Sequence, residues 1–211
     1  MNTKPIIIVT GEPNSIFIEI FLKALKYKKY KKPIILIGSI NILKLQMKKL
    51  RIKKKINSLE LSKLKDYNLD NKLINLINVN FNQNKAFKKI SSKSNQYIRD
   101  CFEVAFKLIK ENYTDKFING PVSKKSFLKS RNLGITEYIS DKFRIKKNAM
   151  LIYNKNLSVC PLTTHLPLKL VVKNINKKAI LEKVDLISKF YKKNLNKKPK
   201  IAILGLNPHC E

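Results

Sequence analysis

The chain has 211 residues, of which 44% are hydrophobic and 9% aromatic, a composition typical of a globular protein that buries its own core. Its apolar stretches are all shorter than the roughly 18 residues of a membrane span, and its N-terminal sequence does not resemble a secretory signal. The net charge of +31 suits a nucleic-acid-binding protein, but only four of the 45 basic residues are arginine and the lysines are spread along the whole chain. We therefore expect a cytoplasmic protein with no membrane partner and no specific nucleic-acid partner, and a basic nucleic-acid-binding domain is kept as an alternative.

The three cysteines do not predict a disulfide framework. Cys101, Cys160 and Cys210 are an odd number at wide spacings, without a paired motif. This use of cysteine fits the expected cytoplasmic location.

The first 118 residues alternate between strand and helix patterns. Strands are predicted for Pro5–Val9, Pro33–Ile37 and Leu76–Phe81, and helices for Ile16–Lys28, Ile40–Leu50 and Ser91–Asn112. The first helix is expected to bury Ile16, Ile20 and Ala24, with Phe17 and Phe21 as further candidates, whereas residues 51–75 are expected to form irregular structure with a short helix. Alternation of this kind favours a mostly parallel sheet with helices on both faces. Gly11 lacks the further glycines of a dinucleotide fingerprint or a P-loop.

Two polar motifs follow in the middle of the chain. Phe117–Ile118 leads into a Gly-Pro turn and then a short helix, where the Ser123 hydroxyl and the Lys124 ammonium group could hold a phosphate or carboxylate. A turn with a solvated lysine is the alternative. The second motif, Gly134–Glu137, opens another helix, with Thr136 as a capping or ligand-binding hydroxyl.

The last part of the chain predicts a hairpin, a helix and a strand. Ala149–Tyr153 and Leu157–Leu162 are separated by three polar residues, a spacing that predicts antiparallel strands. Asn176 caps a predicted helix that turns Ile180, Val184, Ile187 and Tyr191 inward. A final strand is predicted at Ile201–Leu204.

The only two histidines occupy similar positions in this pattern. His165 follows the second strand of the predicted hairpin, and His209 follows the predicted strand Ile201–Leu204. Ligands of open α/β sheets bind at the carboxyl ends of the strands, and two neutral imidazoles could ligate a divalent metal there. The alternative is that each histidine only forms a hydrogen bond that stabilises its own loop.

Five segments together resemble one family, the 4-hydroxythreonine-4-phosphate dehydrogenases of pyridoxal phosphate biosynthesis. The five segments are Ile8–Pro13, Gly120–Lys124, Gly134–Glu137, Thr163–Leu168 and Gly205–His209. Their order and separations also fit the family, whose members continue for another hundred or so residues by the usual two-lobe size. The resemblance therefore covers essentially the whole chain, and we expect the chain to be truncated at its C-terminus.

The resemblance implies a two-lobed α/β/α fold like that of the isocitrate and isopropylmalate dehydrogenases, with a mostly parallel mixed sheet and no Rossmann fingerprint. We expect a first lobe at residues 1–118 and an incomplete second lobe at residues 119–211. The family acts as a homodimer with its site at the subunit interface. We therefore expect a homodimer that binds a small phosphorylated substrate.

The implied reaction is the oxidation of 4-phosphooxy-L-threonine by NAD or NADP to a 2-amino-3-oxo acid, which decarboxylates to 3-amino-2-oxopropyl phosphate. A divalent metal, whether zinc, cobalt, manganese or magnesium, would lower the pKa of the substrate hydroxyl. The resemblance makes His165 and His209 metal ligands, with a third histidine beyond Glu211, and carries substrate binding over to Thr136. Thr164 and Asn207 could orient the imidazoles. The general acid and base are not assigned.

Three departures from the family pattern leave alternatives open. Ile135 stands where the family has histidine, Asn14–Phe17 replaces a glycine-rich turn, and Cys210 leads directly to Glu211. Because a site built around a hydrogen bond discriminates steeply, a phosphorylated four-carbon sugar acid such as phosphoerythronate or phosphothreonate is an alternative substrate. An inactive truncated chain is a further alternative.

Overall fold

The computed structural model describes residues 4–128 and 134–207. The chain divides into two compact units, Met1–Ser130 and Arg131–Glu211, which we call unit 1 and unit 2. No helix within the described residues has the length and apolarity needed to cross a membrane.

Unit 1 contains a five-stranded sheet in which every pair of neighbouring strands is parallel. The strands are β1 (Ile6–Val9), β2 (Ile34–Gly38), β3 (Ile56–Leu59), β4 (Ile74–Asn78) and β5 (Phe117–Asn119). Their order across the sheet is β3-β4-β2-β1-β5. The predicted α/β class and parallel sheet are confirmed. The edge strand β3 lies in the region for which irregular structure was predicted, and that prediction was wrong there.

Three α-helices and three short helical segments connect and follow these strands. They are α1 (Phe17–Tyr27), α2 (Ile40–Lys49), a 3₁₀ segment at Leu61–Asp66, another at Ser92–Ser94, α3 (Asn95–Lys110) and a short π-type helix at Lys124–Leu128. Ser39 caps α2 by accepting a hydrogen bond from the backbone N–H of Ile42 at 3.3 Å. The observed bounds of α1, α2 and α3 lie within four residues of the predicted ones.

The core of unit 1 lies between the sheet and its helices. The central strands are apolar on both faces because helices cover both sides, as expected for a parallel sheet. The predicted buried face of α1 is right at Phe21 but wrong at Ile16 and Ile20. Ile18, Phe21 and Leu22 are buried, whereas Ile16 and Ile20 are exposed.

Unit 2 contains helices and extended segments, but no sheet among its described residues. Its α-helices are α4 (Ile135–Lys142), α5 (Leu168–Asn174) and α6 (Lys177–Phe190), the last continued by a π-type turn at Tyr191–Leu195. Asn176 caps α6 as predicted, because its side-chain oxygen accepts a hydrogen bond from the backbone N–H of Ala179 at 2.9 Å. The predicted inward face of α6 is half-buried rather than buried.

The strands predicted for unit 2 are corrected by the structure. The hairpin is reduced to one antiparallel bridge, in which Ile152 and Val159 exchange backbone hydrogen bonds of 2.8 and 3.0 Å. Residues 201–204 form no strand, and Leu204 is 88% exposed. A strand is stable only with neighbouring strands that complete its ladder, and within the described residues the bridge between Ile152 and Val159 is the only such pairing for these runs.

Candidate functional site

In unit 1, the loops after β1 and β5 meet where the strand order changes direction. The chain passes from β1 to β2 on one side of β1, while β5 pairs on the other side. Ligands of open α/β sheets bind at such a switch point. A Cβ on Gly120 would stand 2.1 Å from the carbonyl oxygen of Thr10, and a Cβ on Gly11, whose φ is +67°, would stand 2.5 Å from that of Pro121. The two glycines are thus required for backbone to pack on backbone.

A buried carboxylate lies beside this contact. Glu12 is only 3% exposed, and its two oxygens accept hydrogen bonds from the Ser94 hydroxyl at 2.8 Å and the backbone N–H of Asn14 at 3.2 Å. These donors offset part of the cost of removing the carboxylate from water. The sequence analysis did not single out Glu12, although a charged residue directly after a glycine at a strand end was a usable signal.

The buried side chain of Tyr97 on α3 forms hydrogen bonds with the residues that follow β1 and β2, at the carboxyl edge of the sheet. The Tyr97 hydroxyl shares a 2.8 Å hydrogen bond with the Thr10 hydroxyl and accepts one of 3.0 Å from the backbone N–H of Ser39. Burial raises the pKa of Tyr97 well above its ordinary value and raises that of the neighbouring Cys101 thiol to about 12. Both groups are protonated at neutral pH, so neither is a base or a nucleophile there.

The structure places Ser123 and Lys124 at the start of the short helix Lys124–Leu128. The Ser123 hydroxyl oxygen accepts a hydrogen bond from the backbone N–H of Ser126 at 3.2 Å, so this side chain caps the helix. Lys124 is exposed. Phosphate binding by this pair stays a prediction.

In unit 2, His165 lies in a loop and has an unusual backbone conformation. Its φ is +59°, in the left-handed region that only a few per cent of non-glycine residues adopt. The residue is exposed, and helix α5 begins three residues later. Backbone strain of this kind costs about 1–2 kcal/mol and is concentrated at functional positions.

The fold brings the His165 loop together with the start of α4. A Cβ placed on Gly134 would lie 2.8 Å from Oε2 of Glu137 and 3.4 Å from Nε2 of His165. Gly134 has extended backbone, so its value here is the space it leaves rather than its conformational freedom. Two of the motifs that carry the family resemblance, Gly134–Glu137 and Thr163–Leu168, therefore meet in unit 2.

The remaining predicted site residues are distributed around these two regions. Thr136 is half-buried in the first turn of α4, Thr164 is half-buried beside His165, and Asn207 is exposed. His209 lies outside the described residues. Across residues 4–128 and 134–207, no group of three or more His, Cys, Asp or Glu side chains is arranged to hold a metal ion.

Comparison with known proteins decides the family. The family model described as pyridoxal phosphate biosynthetic protein PdxA matches residues 29–211. The chain belongs to the PdxA family. The resemblance inferred from the five sequence segments is thus confirmed, and PdxA dehydrogenases have the isocitrate dehydrogenase-like fold that was expected.

Individual relatives of the PdxA family cover nearly all of this chain. A 4-hydroxythreonine-4-phosphate dehydrogenase of Sulfurihydrogenibium sp. is 35% identical over 213 residues, which are 96% of this chain and 63% of the relative. The D-threonate 4-phosphate dehydrogenase of Salmonella typhimurium is 25% identical over 216 residues, 100% of this chain and 65% of that protein. The chain therefore spans just under two thirds of the length of these relatives.

A solved structure shows the same fold. The crystal structure of 4-hydroxythreonine-4-phosphate dehydrogenase from Klebsiella pneumoniae superposes with a TM-score of 0.82 at 21% identity. The match covers 98% of this chain and 65% of that one.

Proposed function

We propose that this chain belongs to an NAD- or NADP-dependent 4-hydroxythreonine-4-phosphate dehydrogenase. The reaction would oxidise 4-phosphooxy-L-threonine to a 2-amino-3-oxo acid, and loss of carbon dioxide would give 3-amino-2-oxopropyl phosphate for pyridoxal phosphate biosynthesis. The observation that carries the proposal is the meeting of the Gly134–Glu137 and Thr163–Leu168 motifs around one space, because a substrate-binding motif and a metal-binding motif must converge for this chemistry.

The donors beside Gly134 fit a divalent cation. His165 offers an exposed imidazole, and Oε2 of Glu137 is a buried oxygen with no hydrogen-bond partner among the described residues. We propose His165 and His209 as ligands of zinc, cobalt, manganese or magnesium, with Thr164 and Asn207 orienting the imidazoles. When bound, the cation supplies a Lewis acid that polarises the substrate hydroxyl.

Other residues would bind and orient the substrate. Thr136 lies in the first turn of α4, directly before Glu137, and its hydroxyl can donate a hydrogen bond to the substrate. Ser123 and Lys124 are proposed to bind the phosphate, because a hydroxyl and an ammonium group both donate to phosphate oxygens. We also propose the homodimer and the cytoplasmic location that the resemblance and the composition predict. No described residue is assigned to the nicotinamide cofactor or to general acid or base catalysis.

A phosphorylated sugar acid is the second candidate substrate. The similarity to D-threonate 4-phosphate dehydrogenase extends over 100% of this chain. Ile135 also replaces the histidine found in the 4-hydroxythreonine-4-phosphate dehydrogenase pattern, so one hydrogen-bond donor is absent from the start of α4. A site with fewer donors can accept a different polar group next to the reacting carbon.

Turnover on the two substrates tests the proposal. Purified chain with NAD⁺ or NADP⁺ and Co²⁺ is given 4-phosphooxy-L-threonine or D-threonate 4-phosphate, and NAD(P)H absorbance is followed. Substrate binding is measured in parallel by calorimetry, so that a chain that binds but does not turn over is recognised. We expect the threonine phosphate to be the better substrate or ligand. Preference for D-threonate 4-phosphate would establish the second candidate, and binding of neither compound would overturn both.

A further inference from the structure

Glu137 is the third residue of α4, and one of its carboxylate oxygens is buried without a partner. Oε2 is shielded from solvent, and no hydrogen-bond donor within the described residues reaches it. A carboxylate oxygen that is shielded from water and accepts no hydrogen bond loses the solvation it has in the unfolded chain without a replacement. The position therefore calls for a ligand that supplies positive charge or a proton.

Helix capping does not account for this carboxylate. The third helical residue is where a glutamate completes a capping box by accepting a hydrogen bond from the N-cap backbone N–H. The N-cap here is Gly134, yet Oε2 of Glu137 accepts no hydrogen bond. A favourable interaction with the helix dipole is available to an exposed glutamate as well, so it does not require burial.

The buried oxygen faces the same space as the imidazole of His165. Oε2 of Glu137 and Nε2 of His165 both lie within 3.4 Å of the point where a Cβ on residue 134 would stand. Glycine at position 134 keeps this space open. An imidazole nitrogen and a carboxylate oxygen that face one small space form a mixed donor set that suits zinc, cobalt or manganese.

We infer that Glu137 binds, through Oε2, the same divalent cation that His165 binds through Nε2. The inference rests on the proposed metal role of His165 and adds a carboxylate from the substrate-binding motif to that site. The anionic oxygen would place negative charge next to the cation and offset its charge in a partly buried setting. Gly134 would serve the site by leaving room for the cation between the two donors.

Cobalt binding to the full chain tests this inference. Co²⁺ has visible absorption bands that respond to its ligands, so titration followed by absorbance reports affinity and coordination together, independently of activity. Glu137→Gln keeps the size and removes the charge, and Gly134→Ala fills the shared space. Glu182→Gln is the matched control, because Glu182 is another unit 2 carboxylate whose partner is Lys147 at 3.3 Å.

We expect Glu137→Gln and Gly134→Ala to weaken Co²⁺ binding by about ten- to a hundredfold and to change the spectrum, while Glu182→Gln does neither. Far-UV circular dichroism checks that each variant is folded. If Glu137→Gln is misfolded, Glu137→Asp replaces it, because aspartate keeps the charge but has a shorter side chain. Wild-type affinity and spectrum in Glu137→Gln, together with lost binding in His165→Ala, would overturn the inference and leave the proposed function standing. Unchanged binding in His165→Ala would remove the metal site of the proposed function itself.

Discussion

The two units differ in how they use their apolar residues. Among the described residues, every buried hydrophobic side chain belongs to unit 1, where a parallel sheet is covered by helices. Unit 2 has no buried hydrophobic side chain in its described part, and its large apolar residues are half-buried or exposed. Apolar burial is the main source of folding free energy, so unit 1 is stabilised by its own core to a degree that unit 2 is not.

The described residues of the proposed cation site lie in unit 2, outside the buried apolar core of unit 1. His165 has a left-handed backbone and Oε2 of Glu137 has no hydrogen-bond partner among the described residues, but such features also occur in unit 1, for example at Asn112 and at Oε1 of Gln46. What distinguishes His165 and Glu137 is that their side chains face one space beside Gly134.

Thiol labelling gives the largest expected difference between the units. Cys101 on α3 is fully buried, and burial raises its pKa to about 12. Cys160 in unit 2 is half-buried, and burial raises its pKa although the nearby Lys183 offsets part of the rise. Labelling of Cys101 requires opening of the unit 1 core, so we expect it to react on the order of a thousandfold more slowly at neutral pH. Mass spectrometry of labelled peptides measures both labelling rates. Similar rates would show that the unit 1 core does not protect Cys101 more than unit 2 protects Cys160.

Replacing one phenylalanine in each unit with alanine compares how much each side chain contributes to the free energy of unfolding. Phe102 is 0% exposed and its ring lies 5.7 Å from that of Phe106, whereas Phe190 is 41% exposed. We expect Phe102→Ala to lower the free energy of unfolding by about 3–5 kcal/mol and Phe190→Ala by about 1 kcal/mol. Urea unfolding followed by circular dichroism gives both values. Equal losses would mean that unit 2 is packed as well as unit 1.

Replacing two glycines with alanine distinguishes a glycine that is needed for backbone packing from one that leaves space for a ligand. Gly120→Ala forces a Cβ against the Thr10 backbone, and we expect a loss of about 1–3 kcal/mol in the same unfolding experiment. Gly134→Ala meets the end of the flexible Glu137 side chain, which can move, so we expect a loss below about 1 kcal/mol. A reversed order of the two losses would contradict this assignment.

Helix caps give the smallest expected difference. The Ser39 hydroxyl caps α2 and also donates a 2.6 Å hydrogen bond to the carbonyl of Phe81 in a buried position, whereas Asn176 caps α6 in an exposed one. We expect Ser39→Ala to cost about 2 kcal/mol and Asn176→Ala about 0.5–1 kcal/mol. Thermal melts of the two variants measure the difference, and an equal shift would show that burial adds nothing to the Ser39 cap.

The same contrast explains where the sequence predicted the fold and where it did not. The apolar strands β1, β2 and β4 and the helix α3 follow clear patterns, because a doubly covered sheet requires them. Strand β3 was missed because Asn57 and Ser58 occupy the centre of this edge strand. The buried face of α1 was misassigned because Ile16 and Ile20 lie beside the polar face that Glu19, Lys23 and Lys26 define, and the prediction did not take that face into account.

The errors in unit 2 have a different cause. Residues 149–153, 157–162 and 201–204 are apolar enough for strands, but a strand also needs neighbouring strands, and the local sequence does not reveal whether they are present. The candidate site shows the same limit. The motif around His165 was recognisable in the sequence, but its proximity to Glu137 depends on the fold, because 27 residues separate them along the chain.

Metal binding by His165→Ala tests whether His165 is a ligand of the proposed cation. Equilibrium dialysis of wild type and variant against Co²⁺, with metal content measured by atomic absorption, compares the two proteins under identical conditions. We expect His165→Ala to lose metal at concentrations that saturate the wild type, while the Glu182→Gln control retains it. Equal metal content in wild type and His165→Ala would show that His165 is not a metal ligand.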